Sequence, residues 1–408
     1  MILMLKEFKE LKYIFPKEKD LDFKSFVSDS ALIPFSNEVI SYLNDLSKLL
    51  YKDARTRNYP DVSTFAFFVR KSNLFSLKKE YFNSDINRLG RGIVFHIAPS
   101  NVPVNFAYSL VSSLLAGNTN IVRVPSKSFD QVNIISDAIL ELSKLKNHKK
   151  ISDKIMLISY PRNDSANSFF SKICDVRVIW GGDNTIRQIR ESDIPPRSFD
   201  LTFADRYSIC IINADSYVDE KNPEKIALNF YNDTYLFDQN ACTAPHLVIW
   251  IGKKKNVINS KNIFWDNLHV IANSRYDIQS VIAVDKLTAL HNQAIKSKKL
   301  KKIESKDNLV VRVEIDELPK NIDEFRCSSG YFNEYHASNL IEISPIIDQK
   351  YQTIAHYGVS KKELNKLIES NPKGIDRIVK IGKTTDFSLT WDGYNLIDTL
   401  SRIIDIKD

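Results

Sequence analysis

The sequence predicts an α/β protein built on two mostly parallel sheets. From Gly92 onward, short β-branched runs alternate with amphipathic stretches of helical period, and the alternation restarts after about residue 205. Alternation of this length implies parallel strands joined by right-handed crossovers. A single segment, 95–127, contains a complete βαβ unit: FHIAPSNVPVNFAYSLVSSLLAGNTNIVRVPSK. It reads as a strand, a turn carrying Asn101 between Pro99 and Pro103, an apolar helix, a Gly117-Asn118 stop and a second strand. Two prolines make that turn rigid, so the Asn101 amide is held in one direction ahead of the helix.

The elements follow in order. Residues 1 to about 90 mix amphipathic helix with polar connections, and the opening MILMLKEFKELKYIF reads as helix or strand. Val39, Ile40, Tyr42, Leu43, Leu46, Leu49 and Leu50 recur at helical spacing over 37–51. Strand 93–98, helix 103–116 and strand 120–124 come next. Helix 129–145 follows, with Ser128 as the expected N-cap. Strand 154–160, a helix near 164–173 and strand 175–180 lead to Gly181-Gly182 and a short helix over 184–191. After Pro195-Pro196 the next expected strand is 207–213. The second block holds helix 223–234, strand 247–251, two lysine-rich helices, strand 309–314, a strand near 339–343, helix 360–370 and strand 377–381. A last helix is expected within 391–404, after Asp392-Gly393.

Bulk composition narrows the function class. The 408 residues are 43% hydrophobic and 26% charged, which suits two globular domains with substantial cores. No apolar run reaches membrane-spanning length; the longest, 102–116, suits a buried helix. No secretory leader pattern is expected at the start. The net charge of +7 suits anionic ligands such as nucleotides or reflects a lysine-rich composition. The lysine runs lack the aromatic interleaving of a nucleic-acid surface. Four cysteines with neither CxxC nor metal spacing give no disulfide framework and no metal site, so a cytoplasmic setting is expected.

Several residues could carry chemistry. Cys242 lies in the polar stretch FDQNACTAPH, where polar neighbours and a helix start would lower a thiol pKa. Cys327 lies in a polar loop too, and position alone does not separate the two. Cys210 and Cys174 sit at apolar strands and read as core. Gly181-Gly182 follows a strand and opens a helix, which suits close approach of a phosphate or simply a turn. No G-x-G-x-x-G, Walker or H-E-x-x-H pattern is present. Arg123, Ser126 and Lys127 bracket a strand's end and suit a nucleotide phosphate or ribose, or a solvated loop. His96 reads as a core histidine, His246 as a structural group at a strand start, and His356 as structural or at a cofactor rim.

Four collinear blocks resemble the LuxC-type acyl-CoA reductases, a branch of the aldehyde dehydrogenase superfamily. They are the 95–127 segment, IWGGDNTIRQIRE, FDQNACTAPH, and DRIVKIG with WDGYNLIDTLSR. The resemblance runs from about Gly90 to the C-terminus. It implies two Rossmann-like domains with a catalytic cleft between them: a cofactor-binding domain over 1–205 and a catalytic domain over 206–385. A tail over 386–408 would return to the first domain or make an oligomer contact. It implies reduction of an acyl thioester to an aldehyde through an acyl group on Cys242, at the family's nucleophile position. Asn101 matches the oxyanion-binding asparagine. Gly181 and Gly182 match the loop beside the cofactor pyrophosphate, Arg123 and Ser126 the ribose contact, and Glu342 the nicotinamide-ribose glutamate. Lys127 replaces the acidic residue of NAD-dependent members, so NADPH is expected, with NADH as the alternative. The water-activating glutamate of the hydrolytic members has no counterpart in Leu201 to Asp205. The family further implies acyl-CoA or an acyl-carrier protein as donor, an acyl-protein synthetase partner and a homo-oligomer. A non-catalytic partner-binding subunit is the alternative of a different class.

Overall fold

The computed structural model describes residues 8, 10–99, 101–161, 165–297 and 300–407. Its backbone divides into two units. Unit 1 runs to Ala204 and resumes at Phe387, and unit 2 is Asp205–Asp386. The return to unit 1 is anchored by Ser401–Ile403, which pairs antiparallel with Arg88–Gly90.

Unit 1 holds a six-stranded sheet. Its strands are β1 (Lys12–Phe15), β2 (Ile93–Ile97), β3 (Thr119–Arg123), β4 (Ile155–Ser159), β5 (Val176–Trp180) and β6 (Phe199–Phe203). The spatial order is β1-β4-β3-β2-β5-β6, with only β1 antiparallel. The chain winds outward from β2 through β3 to β4, then crosses back to place β5 on β2's other side. The loops after β2 and β5 therefore flank the switch point, where open α/β sheets bind ligands.

The helices follow from their apolar faces. Helix α1 (Asn37–Lys52) buries Val39, Ile40, Tyr42, Leu43, Leu46 and Leu50, the stripe its periodicity predicts, and Ser36 caps it by accepting from the Val39 N–H. Helix α2 (Asn105–Leu115) is buried over most of its circumference, from Phe106 to Leu115. Full burial of side chains such as Phe106, Leu110 and Leu114 contributes roughly 1.5–3 kcal/mol each. Helix α3 (Asp130–Ser143) begins after Phe129, which makes no side-chain cap; Ser128 is not the N-cap. Helix α4 (Asp183–Arg190) starts directly from Gly182.

A polar chain crosses this core. The Trp180 indole donates to Ser109 Oγ at 3.0 Å, and Ser109 Oγ meets His96 Nδ1 at 2.7 Å. His96 Nε2 meets Asn120 Oδ1 at 3.1 Å, and Asn120 Nδ2 donates to Asn118 O at 2.9 Å. These partners fix a neutral imidazole protonated at Nε2, with Nδ1 accepting from Ser109. Burial pushes the His96 pKa down to about 4.

Unit 2 holds a seven-stranded sheet. Its strands are β7 (Tyr207–Asn213), β8 (Pro245–Ile251), β9 (Leu300–Ser305), β10 (Val311–Ile315), β11 (Tyr331–Ala337), β12 (Tyr351–Tyr357) and β13 (Arg377–Lys380). The order is β9-β10-β11-β8-β7-β12-β13, with β9 alone antiparallel. Helices α5 (Pro223–Thr234), α6 (Lys254–Arg275), α7 (Ser280–Lys296) and α8 (Lys361–Glu369) connect them. One carboxylate ties α6 to the sheet. Glu334 accepts from the indoles of Trp250 and Trp265, both at 2.9 Å, and from Arg312 Nε at 2.7 Å, with Lys261 Nζ at 3.6 Å.

Several expected elements differ. Residues 340–346 form a 3-10 helix with Pro345 inside it, so the strand expected near 339–343 is absent, while β11 and β12 lie on either side. Pro345 removes a ladder donor, which disfavours a strand there. The expected final helix shrinks to Leu396–Leu400 and gives way to the Ser401–Ile403 strand. Strand β6, short and preceded by prolines, pairs with β5, and 207–213 opens the second sheet instead of extending the first.

Candidate active site

In unit 1 the predicted residues gather at the carboxyl ends of β2, β3 and β5. Asn101 is exposed in the bend between β2 and α2; Ser100 lies outside the described residues. Arg123 ends β3. Its guanidinium donates to Tyr160 O at 3.1 Å and stacks over the Tyr160 ring at 4.8 Å. Ser126 and Lys127 are exposed in the following loop, with the Lys127 ammonium 5.3 Å from the centre of the Phe129 ring. Gly181 and Gly182 join β5 to α4. A Cβ on Gly182 would meet nothing within 4 Å, whereas one on Gly181 would press on Thr185 at 3.2 Å. An open glycine at a helix start fits a pyrophosphate: the N–H groups of the first helical turn have no intrahelical partner, and the helix dipole favours negative charge. The residues present therefore fit a dinucleotide.

In unit 2, Cys242 sits at the amino ends of the strands. The 3-10 turn Tyr235–Phe237 ends in two left-handed residues, Asp238 (φ 51°) and Gln239 (φ 59°). The chain then turns through Ala241–Ala244, closed by Ala244 N–H donating to Ala241 O at 2.9 Å, and enters β8. No helix starts at Cys242, contrary to the expectation that one would lower its pKa. The thiol-bearing residue is half-buried. Its carbonyl accepts from Ser208 Oγ at 2.7 Å, and Ser208 Oγ in turn accepts from Thr353 N–H at 3.2 Å.

The other cysteines are less suited to nucleophilic work. Burial raises the Cys174 thiol to about 12 and the Cys210 thiol well above its ordinary value. Burial raises Cys327 as well, despite Lys286 nearby. His246 is stacked against Tyr207 at 5.7 Å, and burial with Arg326 nearby pushes it down to about 3, so it is neutral and holds no exchangeable charge near pH 7. Burial, then Lys380, lowers His356. Asp205 pairs with Arg326 at 2.6 Å and Lys350 at 3.6 Å.

Glu342 lies in the 340–346 turn rather than on a strand. Its carboxylate accepts from the Tyr335 hydroxyl and, at 2.7 Å, from Ser338 N–H. Burial raises its pKa, but these hydrogen bonds outweigh it and the net shift is downward. The structure thus groups Asn101, Arg123, Ser126, Lys127, Gly181 and Gly182 in unit 1, and holds Cys242 and Glu342 in unit 2.

The sequence model of the acyl-CoA reductase (LuxC) family matches residues 73–403. The chain belongs to that family. The resemblance read from its four blocks is thereby borne out. Among relatives, the long-chain acyl-protein thioester reductase of Aliivibrio fischeri is 26% identical over 165 residues, 40% of this chain and 32% of that protein. The enzyme of the same name from Photorhabdus laumondii is 24% identical over 207 residues, 49% of this chain and 41% of that protein. The matches thus span well under half of these relatives' length. Among solved structures, a NAD-dependent benzaldehyde dehydrogenase from Corynebacterium glutamicum superposes with a TM-score of 0.61 at 11% identity, covering 93% of this chain and 86% of that one. The fold is that of the aldehyde dehydrogenases, as the sequence blocks implied.

One residue that sequence reasoning missed is Gln239. Its side chain is buried and bonded on both sides of the Cys242 turn. A glutamine three residues from a cysteine gives no signal in composition or period; only the close approach of the 328–330 turn reveals it.

Proposed function

We propose that this family member reduces long-chain acyl thioesters to aldehydes through an acyl group carried on Cys242. The observation that carries this reading is Cys242 itself. It is half-buried in the turn that enters β8, at the position where the family resemblance puts the nucleophile, in a chain with the LuxC family match and the aldehyde dehydrogenase fold.

The Cys242 thiolate attacks the thioester carbonyl. A new C–S bond forms, the old one breaks, and the donor's thiolate leaves. The family resemblance assigns donation to the oxygen, while it carries negative charge, to Asn101 and the Cys242 backbone N–H, which would act as fixed dipoles. When bound, a reduced nicotinamide would supply the hydride that takes the acyl carbon on Cys242 to the aldehyde level. Collapse of the resulting thiohemiacetal oxyanion breaks the Cys242 C–S bond, releases the aldehyde and returns the thiolate. Without a glutamate positioned to activate water in 201–205, the acyl group is spared hydrolysis.

Unit 1 is proposed to bind the cofactor. Gly181 and Gly182 would take the pyrophosphate, Arg123 and Ser126 the adenosine ribose, and Glu342 of unit 2 the nicotinamide ribose. Lys127, exposed and cationic in the loop after β3, favours NADPH over NADH because a 2′-phosphate attracts it. The relatives' name, acyl-protein thioester reductase, favours an acylated protein over free acyl-CoA as donor; an acyl-protein synthetase as supplier and a homo-oligomeric reductase complete the proposal.

Intact-mass spectrometry after exposure to a long-chain acyl-CoA, or to an acylated carrier protein, tests the core of this. The expected result is one acyl adduct on the wild type and none on Cys242→Ala. An adduct at wild-type level on Cys242→Ala refutes the assignment, and the better donor shows itself by the faster adduct.

A further inference from the structure

We infer that Gln239 is the positioning residue that sets the geometry of the Cys242 turn. This rests on Cys242 being the nucleophile. The Gln239 side chain is 1% exposed, and both ends of its amide are fully engaged. Nε2 donates to Pro245 O at 2.9 Å and to Tyr331 O at 3.1 Å. Oε1 accepts from Gly330 N–H at 2.8 Å and Tyr331 N–H at 3.2 Å.

Gln239 precedes Cys242 by three residues and Pro245 follows it by three, so the bond to Pro245 O closes the turn on itself. The bonds to Gly330 and Tyr331 fasten that ring to the start of β11. Asp238 adds a backbone tie, since Ser329 N–H donates to its carbonyl at 3.0 Å, and Tyr276 donates to its side chain at 2.6 Å. Tyr331 is braced from behind as well: its hydroxyl donates to Gln293 Oε1 at 2.7 Å, and Gln293 is fully buried.

The backbone strengthens the inference. Asp238 and Gln239 are consecutive left-handed residues, and Gln239 has no short polar side chain to ease that conformation. A turn with no further demand on it would be filled by glycine or asparagine. Strain of this kind concentrates at functional sites and persists where surrounding bonds over-determine it. Here the side chain that needs the strained backbone is the one that makes the four bonds. The direction of the Cys242 N–H and Cα–Cβ bond follows from the torsions immediately upstream, so the Gln239 amide controls where thiolate and N–H point.

The test uses the full chain and two substitutions. Gln239→Ala removes all four bonds. Gln239→Glu keeps the acceptor toward Gly330 and Tyr331 but sets a carboxylate against the Pro245 and Tyr331 carbonyls. Burial raises the pKa of that carboxyl, and protonation restores a donor. Two readouts are taken: the rate of iodoacetamide alkylation at Cys242 by peptide mass mapping, and kcat and KM for thioester reduction. Gln239→Ala is expected to lower kcat about a hundredfold, as a misplacement of about 1 Å does, with KM within about threefold. The Gln239→Glu alkylation rate, divided by that of wild type, is expected to rise as pH falls from about 8 to about 6. Wild-type kcat in Gln239→Ala, or a flat ratio for Gln239→Glu, overturns the inference. Should the alanine variant fail to fold, the glutamate pH series decides alone. An acyl adduct persisting on Cys242→Ala would refute the nucleophile instead, while alkylation at Cys242 would still report whether Gln239 sets the turn.

Discussion

Acid should weaken unit 1 through one imidazole. His96 is fully buried between Ser109 and Asn120, and its pKa is lowered from 6.5 to about 4 in the folded protein. Between these two values the unfolded chain binds a proton that the folded chain refuses. The stabilisation is therefore complete above pH 6.5 and is lost as pH falls toward 4. Protonation puts a second N–H against Ser109 Oγ, which already accepts from Trp180, and leaves the Ser109 hydroxyl hydrogen without its acceptor. The shift corresponds to about 3 kcal/mol in full, of which about 2 kcal/mol is lost by pH 5. His96→Gln removes the titration and should cost about 1–2 kcal/mol at neutral pH through the lost buried hydrogen bonds. Because two units need not unfold together, the assay must report unit 1 alone. Urea series equilibrated at about pH 7.5 and about pH 5, each pulse-labelled with deuterium at one common pH, give this from peptides covering β2 and β3. Wild type should lose about 2 kcal/mol more than His96→Gln between the two conditions. Parallel losses in the two proteins would show that His96 does not carry the pH dependence.

Two further outcomes follow. Glu334 is 1% exposed and accepts from two indoles and Arg312, so Glu334→Ala leaves the Trp250 and Trp265 N–H donors without that acceptor while Arg312 keeps its pair with Glu304 at 2.6 Å; it should destabilise unit 2 by about 2–4 kcal/mol, read from the unfolding of β11 peptides. Lys127→Glu should lower kcat/KM with NADPH by at least about tenfold, the worth of one charge-assisted hydrogen bond, while leaving or improving that with NADH; steady-state kinetics with wild type using NADH as well as NADPH would end the NADPH reading.

The longer helices and many strands of both sheets were legible because their burial is periodic, whereas β6, β9, β11 and β12 were not expected from the sequence. Val39 to Leu50 face one core at helical spacing, and Ile93–Ile97 is buried at every position, as a central parallel strand should be. Errors fell where local pattern and long-range pairing disagree. Leu340–Ile346 is as apolar as a strand, but Pro345 and the neighbouring β11 and β12 leave it no ladder to join. Ser401–Ile403 extends what reads as a helix, and only its pairing partner three hundred residues upstream, Arg88–Gly90, makes it a strand.

The candidate residues divide in the same way. By itself the sequence determined the fold class, the family and the named positions, including Cys242 and the Asn101 loop. Those depend on residue identity, spacing and order along the chain. Only the tertiary structure decided that Cys242 stands at the amino ends of its sheet in a turn rather than at a helix start. It likewise decided that His246 is buried and neutral, that the Glu342 carboxylate is engaged by Tyr335 and Ser338, and that Gln239 fastens the Cys242 turn to β11. Burial and hydrogen bonding between distant segments set those properties. Neither is a function of neighbouring residues, so no local pattern encodes them.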